Sequence, residues 1–244
     1  MRAPAGSGPY IILGLTAVTG VASLTLFALF LLIWGGSRSP SLESSALLWD
    51  AGLSLAFFLQ HSGMVRRPFR ARLAALVPHR YDGAVYAIAS GLVLGAVVLL
   101  WRRGETHVLL LQGPWRWAAR ACSLVAIVVF YRSVRALGSF DPFGIAAVRA
   151  HLRGRSESQG PTTFAVVGPY RWVRHPLYSC ILLLIWSCPV VTTDRLLFDV
   201  LWTAWICVGA ALEERDLVDD FGDAYRRYRE KVPMLVPWRG PCQV

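Results

Sequence analysis

From Tyr10 to Trp34 the chain runs for twenty-five residues without a charge. At 1.5 Å per residue a helix over that run is long enough to cross the hydrocarbon of a bilayer. A cleaved leader has a shorter apolar core and a small-residue cleavage site, so this run is expected to be a retained first helix. Further apolar runs follow. They predict helices at 10–34, 46–62, 84–101, 116–137, 177–191 and 196–212. The expected fold is an all-α integral membrane protein with about six transmembrane helices, its last two joined by Thr192–Arg195 as a tight hairpin. The whole chain, 1–244, reads as a single membrane domain with no internal repeat.

Composition agrees with that reading. Only 16% of residues are charged, where a soluble domain usually has about a quarter. The formal net charge of +10 is spread as arginines between apolar runs, which is the pattern of topology and headgroup contact; no nucleic-acid partner is expected, and the partner is the lipid bilayer. With the N-terminus inside, seventeen Lys and Arg fall on inner segments, from Arg2 through Arg66–Arg80 and Arg149–Arg174 to Arg239. Four, Arg38, Arg102, Arg103 and Arg195, fall outside. That asymmetry predicts both termini in the cytosol. The five cysteines show no metal spacing, so no metal site is expected.

Two stretches predict interfacial amphipathic helices. Residues 65–77 put Val65, Phe69, Leu73, Leu76 and Val77 on one face. Residues 214–230 place Leu217, Phe221, Tyr225 and Tyr228 at helical spacing, with Pro233 and Pro237 beyond.

Chemistry concentrates where the fifth helix opens, at Gly168-Pro-Tyr170-Arg-Trp-Val-Arg174-His175-Pro176-Leu-Tyr178. Pro176 suits a first helical turn, which places His175 near the cap and Tyr178 one turn in. A helix N-terminus attracts anions, and Arg174 and His175 add to its field. The fifth helix rises about 22 Å and the sixth descends about 26 Å, so Glu213 and Glu214 return beside it. Two carboxylates near Arg174 and His175 suit a zwitterionic ligand bearing a hydroxyl pair. A salt bridge at the membrane boundary accounts for the same residues equally well.

The string 168–178, followed by Glu213-Glu-Arg-Asp-Leu and by Phe221-Gly-Asp-Ala-Tyr225-Arg-Arg-Tyr228-Arg-Glu-Lys-Val-Pro233, resembles the signature of the isoprenylcysteine carboxyl methyltransferase superfamily. The likeness covers 165–237, which it marks as the part that binds S-adenosylmethionine. It implies Tyr170, Arg174, His175, Tyr178, Glu213 and Glu214 as cofactor residues, with Tyr225 and Tyr228 either closing that pocket or packing on the bilayer face. Trp49–Leu53 and Phe58–Met64 resemble the branch that holds methanethiol S-methyltransferases and nurim, and Phe140–Gly144 with Val148–Gly154 resembles the methanethiol enzymes' version. Carboxyl methyltransferases of the superfamily carry an Arg one turn before the Glu pair; here that turn is Val208-Gly-Ala-Ala-Leu212, without charge.

The resemblance therefore implies methyl transfer from S-adenosylmethionine to the sulfur of a small thiol such as methanethiol, giving dimethyl sulfide. The alternatives are another lipophilic acceptor, including a prenylcysteine carboxylate, or a non-enzymatic nurim-like membrane protein. A transporter would need more polar residues at mid-bilayer. His61, at the inner end of the second helix, and Arg174 are the candidates to deprotonate or stabilise a thiol. Asp141 is the third catalytic candidate, to assist His61 or hold an arginine. Asp50 reads as a helix cap. Arg135 reads as a snorkelling residue, and Arg132 fits either a headgroup or a carboxylate partner.

Overall fold

The computed structural model describes residues 7–33, 37–38, 43–138, 141, 143–153 and 166–242. Arg2, Trp34, Phe140, Pro142, Gly154 and Arg155, which the sequence reading used, lie outside the described residues. The chain divides into two compact units, Met1–Arg103 with Asp141–Gln159, and Gly104–Phe140 with Gly160–Val244.

The first unit contains α1 (Gly8–Ile33), α2 (Glu43–Met64), α3 (Arg67–Ala74), α4 (Asp82–Leu100) and α6 (Ile145–Leu152), with strands β1 (Ser37–Arg38) and β2 (Arg102–Arg103) paired in parallel. Gly104–Phe140, between α4 and α6 in sequence, belongs to the second unit. In lipid there is no hydrophobic drive between apolar helices, so close packing rests on small residues. Gly91 of α4 shows this: a Cβ there would stand 3.2 Å from the Thr19 carbonyl and 3.1 Å from Ser23 Oγ of α1. Gly144, at φ +61°, lies against the Gly83 backbone so closely that a Cβ would stand 2.3 Å from it. Only a glycine pair permits that approach. Phe30 and Trp101 close one end edge to face at 5.7 Å.

Asp50 is not a cap. It sits inside α2, fully buried, and its Oδ1 accepts the Arg102 N–H at 3.0 Å. The helix begins earlier, at Glu43, so the cap position moved away from it. The surface helix is shorter than 65–77, ending at Ala74, with Val65, Phe69 and Leu76 exposed.

The second unit contains α5 (Gly113–Ala136), α7 (Pro176–Trp186), α8 (Thr193–Phe221) and α9 (Asp223–Lys231). Strands β3 (His107–Leu110) and β4 (Val190–Thr192) pair antiparallel, with His107 opposite Thr192. Helix α7 stops at Trp186, short of 191, because Pro189 disfavours helix in the residue before it. The next residues form β4 instead.

Helix α8 does not end at 212. Its 29 residues rise about 43 Å, well beyond the roughly 30 Å of hydrocarbon. The expected interfacial helix 214–230 is therefore two pieces, the end of α8 and then α9, separated by Gly222 at φ +55°. Arg195 is not an outer-loop cation. It is fully buried in the first turn of α8, with its Nε 2.8 Å from Asp199 Oδ1 and its Nη2 donating to the Ile185 carbonyl.

The protein is thus mostly helical. The segments Gly8–Ile33, His79–Leu100, Gly113–Ala136 and Thr193–Phe221 are long and apolar enough to cross a membrane. Helix α7 is apolar but has only 11 residues, about 16 Å.

Candidate functional site

The second unit gathers the charged residues of the signature at one end of α7. His175 is the residue before the first turn, and Pro176 takes the first helical position. A run that follows Lys231 supports this entry as a strap. The N–H of Arg174 donates to the Pro233 carbonyl at 2.9 Å, and that of His175 to the Met234 carbonyl at 3.1 Å. Ser179 Oγ donates to the Leu235 carbonyl at 2.6 Å.

Arg174 holds three groups together. Its Nε donates to Glu214 Oε1 at 2.5 Å, and its Nη1 to the carbonyls of Arg229 at 2.9 Å and Val232 at 2.6 Å. The guanidinium therefore ties α7 to α8 and to the end of α9. His175 Nε2 lies 3.3 Å from the same Glu214 oxygen. Arg229 Nε lies 3.3 Å from the other, Oε2. The Glu214 side chain is 5% exposed, and two cations with His175 offset its burial.

Glu213 differs. Its side chain is 46% exposed. Glu213 Oε2 accepts the Tyr178 hydroxyl at 2.8 Å and lies 3.8 Å from His175 Nδ1. Its Oε1 makes no hydrogen bond among the described residues, and neither does Arg174 Nη2. The cluster thus presents one anionic acceptor and one cationic donor that remain open. His175 and Tyr178 stack 5.5 Å apart, nearly parallel.

Tyr225 and Tyr228 are buried in a cluster of their own with Val232, against Leu217, Val218 and Phe221. Tyr228 donates to the Tyr170 carbonyl at 2.6 Å, which fixes the turn before Arg174. Burial raises both phenols well above the ordinary range, with the nearby Glu214 charge adding at Tyr225 and the neighbouring Tyr225 adding at Tyr228. The Tyr170 phenol is pushed up to about 12 by burial first, with Glu213 and then Cys180 adding. All three stay neutral at any ordinary pH.

Two catalytic candidates belong to the first unit. His61 is half-buried in α2; the Tyr86 hydroxyl lies 2.8 Å from its Nε2 and 3.1 Å from its Nδ1, and Phe57 packs 5.0 Å from its ring. The neighbouring Gln60 donates its Nε2 to Ser90 Oγ at 3.2 Å. Asp141 is exposed, and its Oδ2 accepts the Ala146 N–H at 2.6 Å, closing the first turn of α6. Among the described residues no group of His, Cys, Asp or Glu is arranged to hold a metal ion.

Sequence reading missed Arg229 and Tyr86. Arg229 follows Tyr225 by four residues, on the face of α9 that meets the cluster, and that spacing was the available signal. Tyr86 had none, because its contact with His61 joins α2 to α4.

Comparison with known proteins places the chain. Residues 47–215 match the family model described as NnrU protein. The chain belongs to the NnrU family. Relatives of this NnrU-family protein include Methanethiol S-methyltransferase 1 of Bradyrhizobium diazoefficiens, 34% identical over 201 residues, spanning 80% of this chain and 68% of the relative. A Methanethiol S-methyltransferase of Crocosphaera subtropica is 34% identical over 216 residues, 84% of this chain and 80% of the relative. Nurim of Rattus norvegicus is 27% identical over 184 residues, 71% and 68% of the two chains. No solved structure matches the NnrU-family chain significantly.

Proposed function

We propose that the chain is a membrane methyltransferase that moves the methyl group of S-adenosylmethionine to the sulfur of a small thiol, methanethiol giving dimethyl sulfide. The observation that carries the proposal is the polar cluster of Arg174, His175, Tyr178, Glu213 and Glu214, in a chain whose relatives are named methanethiol S-methyltransferases.

The open valences fit the donor. Glu213 Oε1 suits a ribose hydroxyl pair or an ammonium group, and Arg174 Nη2 suits a carboxylate, so a zwitterion meets both signs in one place. When bound, S-adenosylmethionine supplies a methyl group activated by a sulfonium, open to in-line attack. The residues of the chain align and desolvate. Glu214 keeps Arg174 and His175 oriented, while Tyr178 fixes one oxygen of the half-exposed Glu213 and leaves the other for a ligand. Tyr170, Tyr225 and Tyr228 wall the same end as neutral residues.

On the acceptor side the thiol must lose its proton as the sulfur attacks. His61 is the proposed base or orienting group, with Tyr86 holding its ring. Asp141, the remaining candidate, contributes by fixing the start of α6. The turn before Glu213 favours an uncharged acceptor. Ala210 is buried, Gly209 has open space where a Cβ would stand, and no cation is present to meet a carboxylate. A carboxylate desolvated there would lack a partner. The six-span topology with both termini cytosolic completes the proposal; reporters fused after Trp101 and at the C-terminus are expected on opposite sides.

The test is turnover. Purified full-length protein with methyl-labelled S-adenosylmethionine is expected to label small alkyl thiols and to leave farnesylcysteine unlabelled. Carboxyl methylation without thioether product would overturn the acceptor assignment. No methyl transfer to any acceptor, with no donor binding by calorimetry, would favour the non-enzymatic, nurim-like alternative.

A further inference from the structure

Helix α7 also lines a groove of about 960 Å³. Val129 of α5, Leu183 and Trp186 of α7, and Leu235 and Val236 of the strap form its walls. The two helices run antiparallel beside it. The end of α5 meets the turn before α7, with the missing Cβ of Gly168 3.3 Å from Ala136, and Ser123 Oγ bonds Ser187 Oγ at 2.7 Å at the far end. Two arginines, Arg132 and Arg171, line the groove at the Gly168 end, and no acidic residue lines it anywhere.

Those cations retain free donors. Arg132 is exposed and makes no hydrogen bond or ion pair among the described residues. Arg171 gives its Nε to the Cys242 carbonyl at 2.8 Å, and its terminal nitrogens make no hydrogen bond among the described residues. The rest of the groove is apolar and open: Leu183 is 39%, Trp186 52% and Val236 67% exposed.

Length identifies the occupant. From Pro176 to Trp186 the helix rises about 15 Å, half of the roughly 30 Å hydrocarbon thickness. The groove is therefore one leaflet deep, cationic at one end and apolar along the rest. We infer that it binds an anionic phospholipid of the bilayer, with the phosphate at Arg132 and Arg171 and one acyl chain along Val129, Leu183 and Trp186. A free phosphate would leave the apolar walls uncovered, a lipid without a phosphate would leave both guanidinium groups without a partner, and a zwitterionic lipid would bring its own cation beside them. The strap links the groove to the polar cluster, because Leu235 and Val236 line the groove while Pro233 and Met234 accept the N–H groups of Arg174 and His175. The inference does not depend on methyl transfer.

The experiment is native mass spectrometry of the full chain in a neutral detergent. It is titrated with phosphatidylglycerol, with phosphatidylcholine of the same acyl chains, and with glycerol phosphate. Phosphatidylglycerol is expected to bind about fivefold or more tighter than phosphatidylcholine, and glycerol phosphate not to bind. Arg132→Gln should abolish the preference while leaving phosphatidylcholine binding, and Val129→Trp, which fills the groove, should weaken both lipids. Equal affinity of the unaltered protein for the two lipids overturns the inference without any variant. So does an unchanged preference in Arg132→Gln, unchanged affinity in Val129→Trp, or glycerol phosphate binding as well as the lipid.

Discussion

Helix α8 carries buried charge at both ends, and the two ends are built differently. At its start Arg195 and Asp199 pair at 2.8 Å, both fully buried, with the guanidinium also on the Ile185 carbonyl. At its end Glu214 pairs with Arg174 and His175, but Glu213 beside it is half exposed and keeps one oxygen unbonded among the described residues. The first arrangement is sealed from solvent, with Asp199 Oδ2 making no hydrogen bond among the described residues, and it fastens α8 to the end of α7. The second has a donor left over on Arg174, whose side chain is 10% exposed, and an acceptor left over on the half-exposed Glu213. Burial of charge alone is therefore a poor sign of function in this chain; what separates a ligand site from a structural pair is hydrogen-bonding capacity left on an exposed group, as at Glu213 and not at Asp199.

The strongest way to break the comparison is to remove a member of each pair. Glu214→Ala leaves the Arg174 guanidinium without its carboxylate, and S-adenosylmethionine affinity by calorimetry is expected to fall by about a hundredfold or more, or 3 kcal/mol. Arg195→Ala should leave affinity unchanged for the folded protein but lower stability by about 3–5 kcal/mol, because Asp199 remains buried and unpaired. The paired change Arg195→Met with Asp199→Leu should recover most of that loss in a thermal melt in detergent. A paired change that restores stability but abolishes donor binding would make the start of α8 part of the site and end the distinction.

Two smaller effects sharpen it. His61→Ala is expected to lower turnover by about a hundredfold with donor affinity within about twofold, the split expected of a group that acts on the acceptor. Equal losses in both would assign His61 to folding or to the donor. Tyr178→Phe removes one hydrogen bond to Glu213, and donor affinity should fall by about fivefold, roughly 1 kcal/mol.

The smallest expected effect is on pH. The folded Tyr170 phenol stands at about 12 against an ordinary 10.0, so the neutral form is favoured in the fold. Its contribution to stability is complete below pH 10 and is lost as pH rises toward about 12. Tyrosinate absorbance of the native protein at pH 10 should be unchanged by Tyr170→Phe; a loss of signal there would mean that the phenol is more open to water than its burial implies.

Sequence alone determined the membrane class, because long runs without charge leave a chain no other solvent. It also named the members of the polar cluster, because the signature keeps Arg174, His175 and Tyr178 within five residues and puts Glu213 beside Glu214. The tertiary structure decided the rest. Where α8 ends depends on Gly222 rather than on the last apolar residue, since a helix continues into water at little cost. Whether a charge is a loop cation or a buried pair depends on what stands four residues away and on the neighbouring carbonyl, as at Arg195. Which valences remain open at Glu213 and Arg174 depends on bonds between residues up to fifty-eight positions apart, such as Arg174 with Val232, and no local pattern records such bonds.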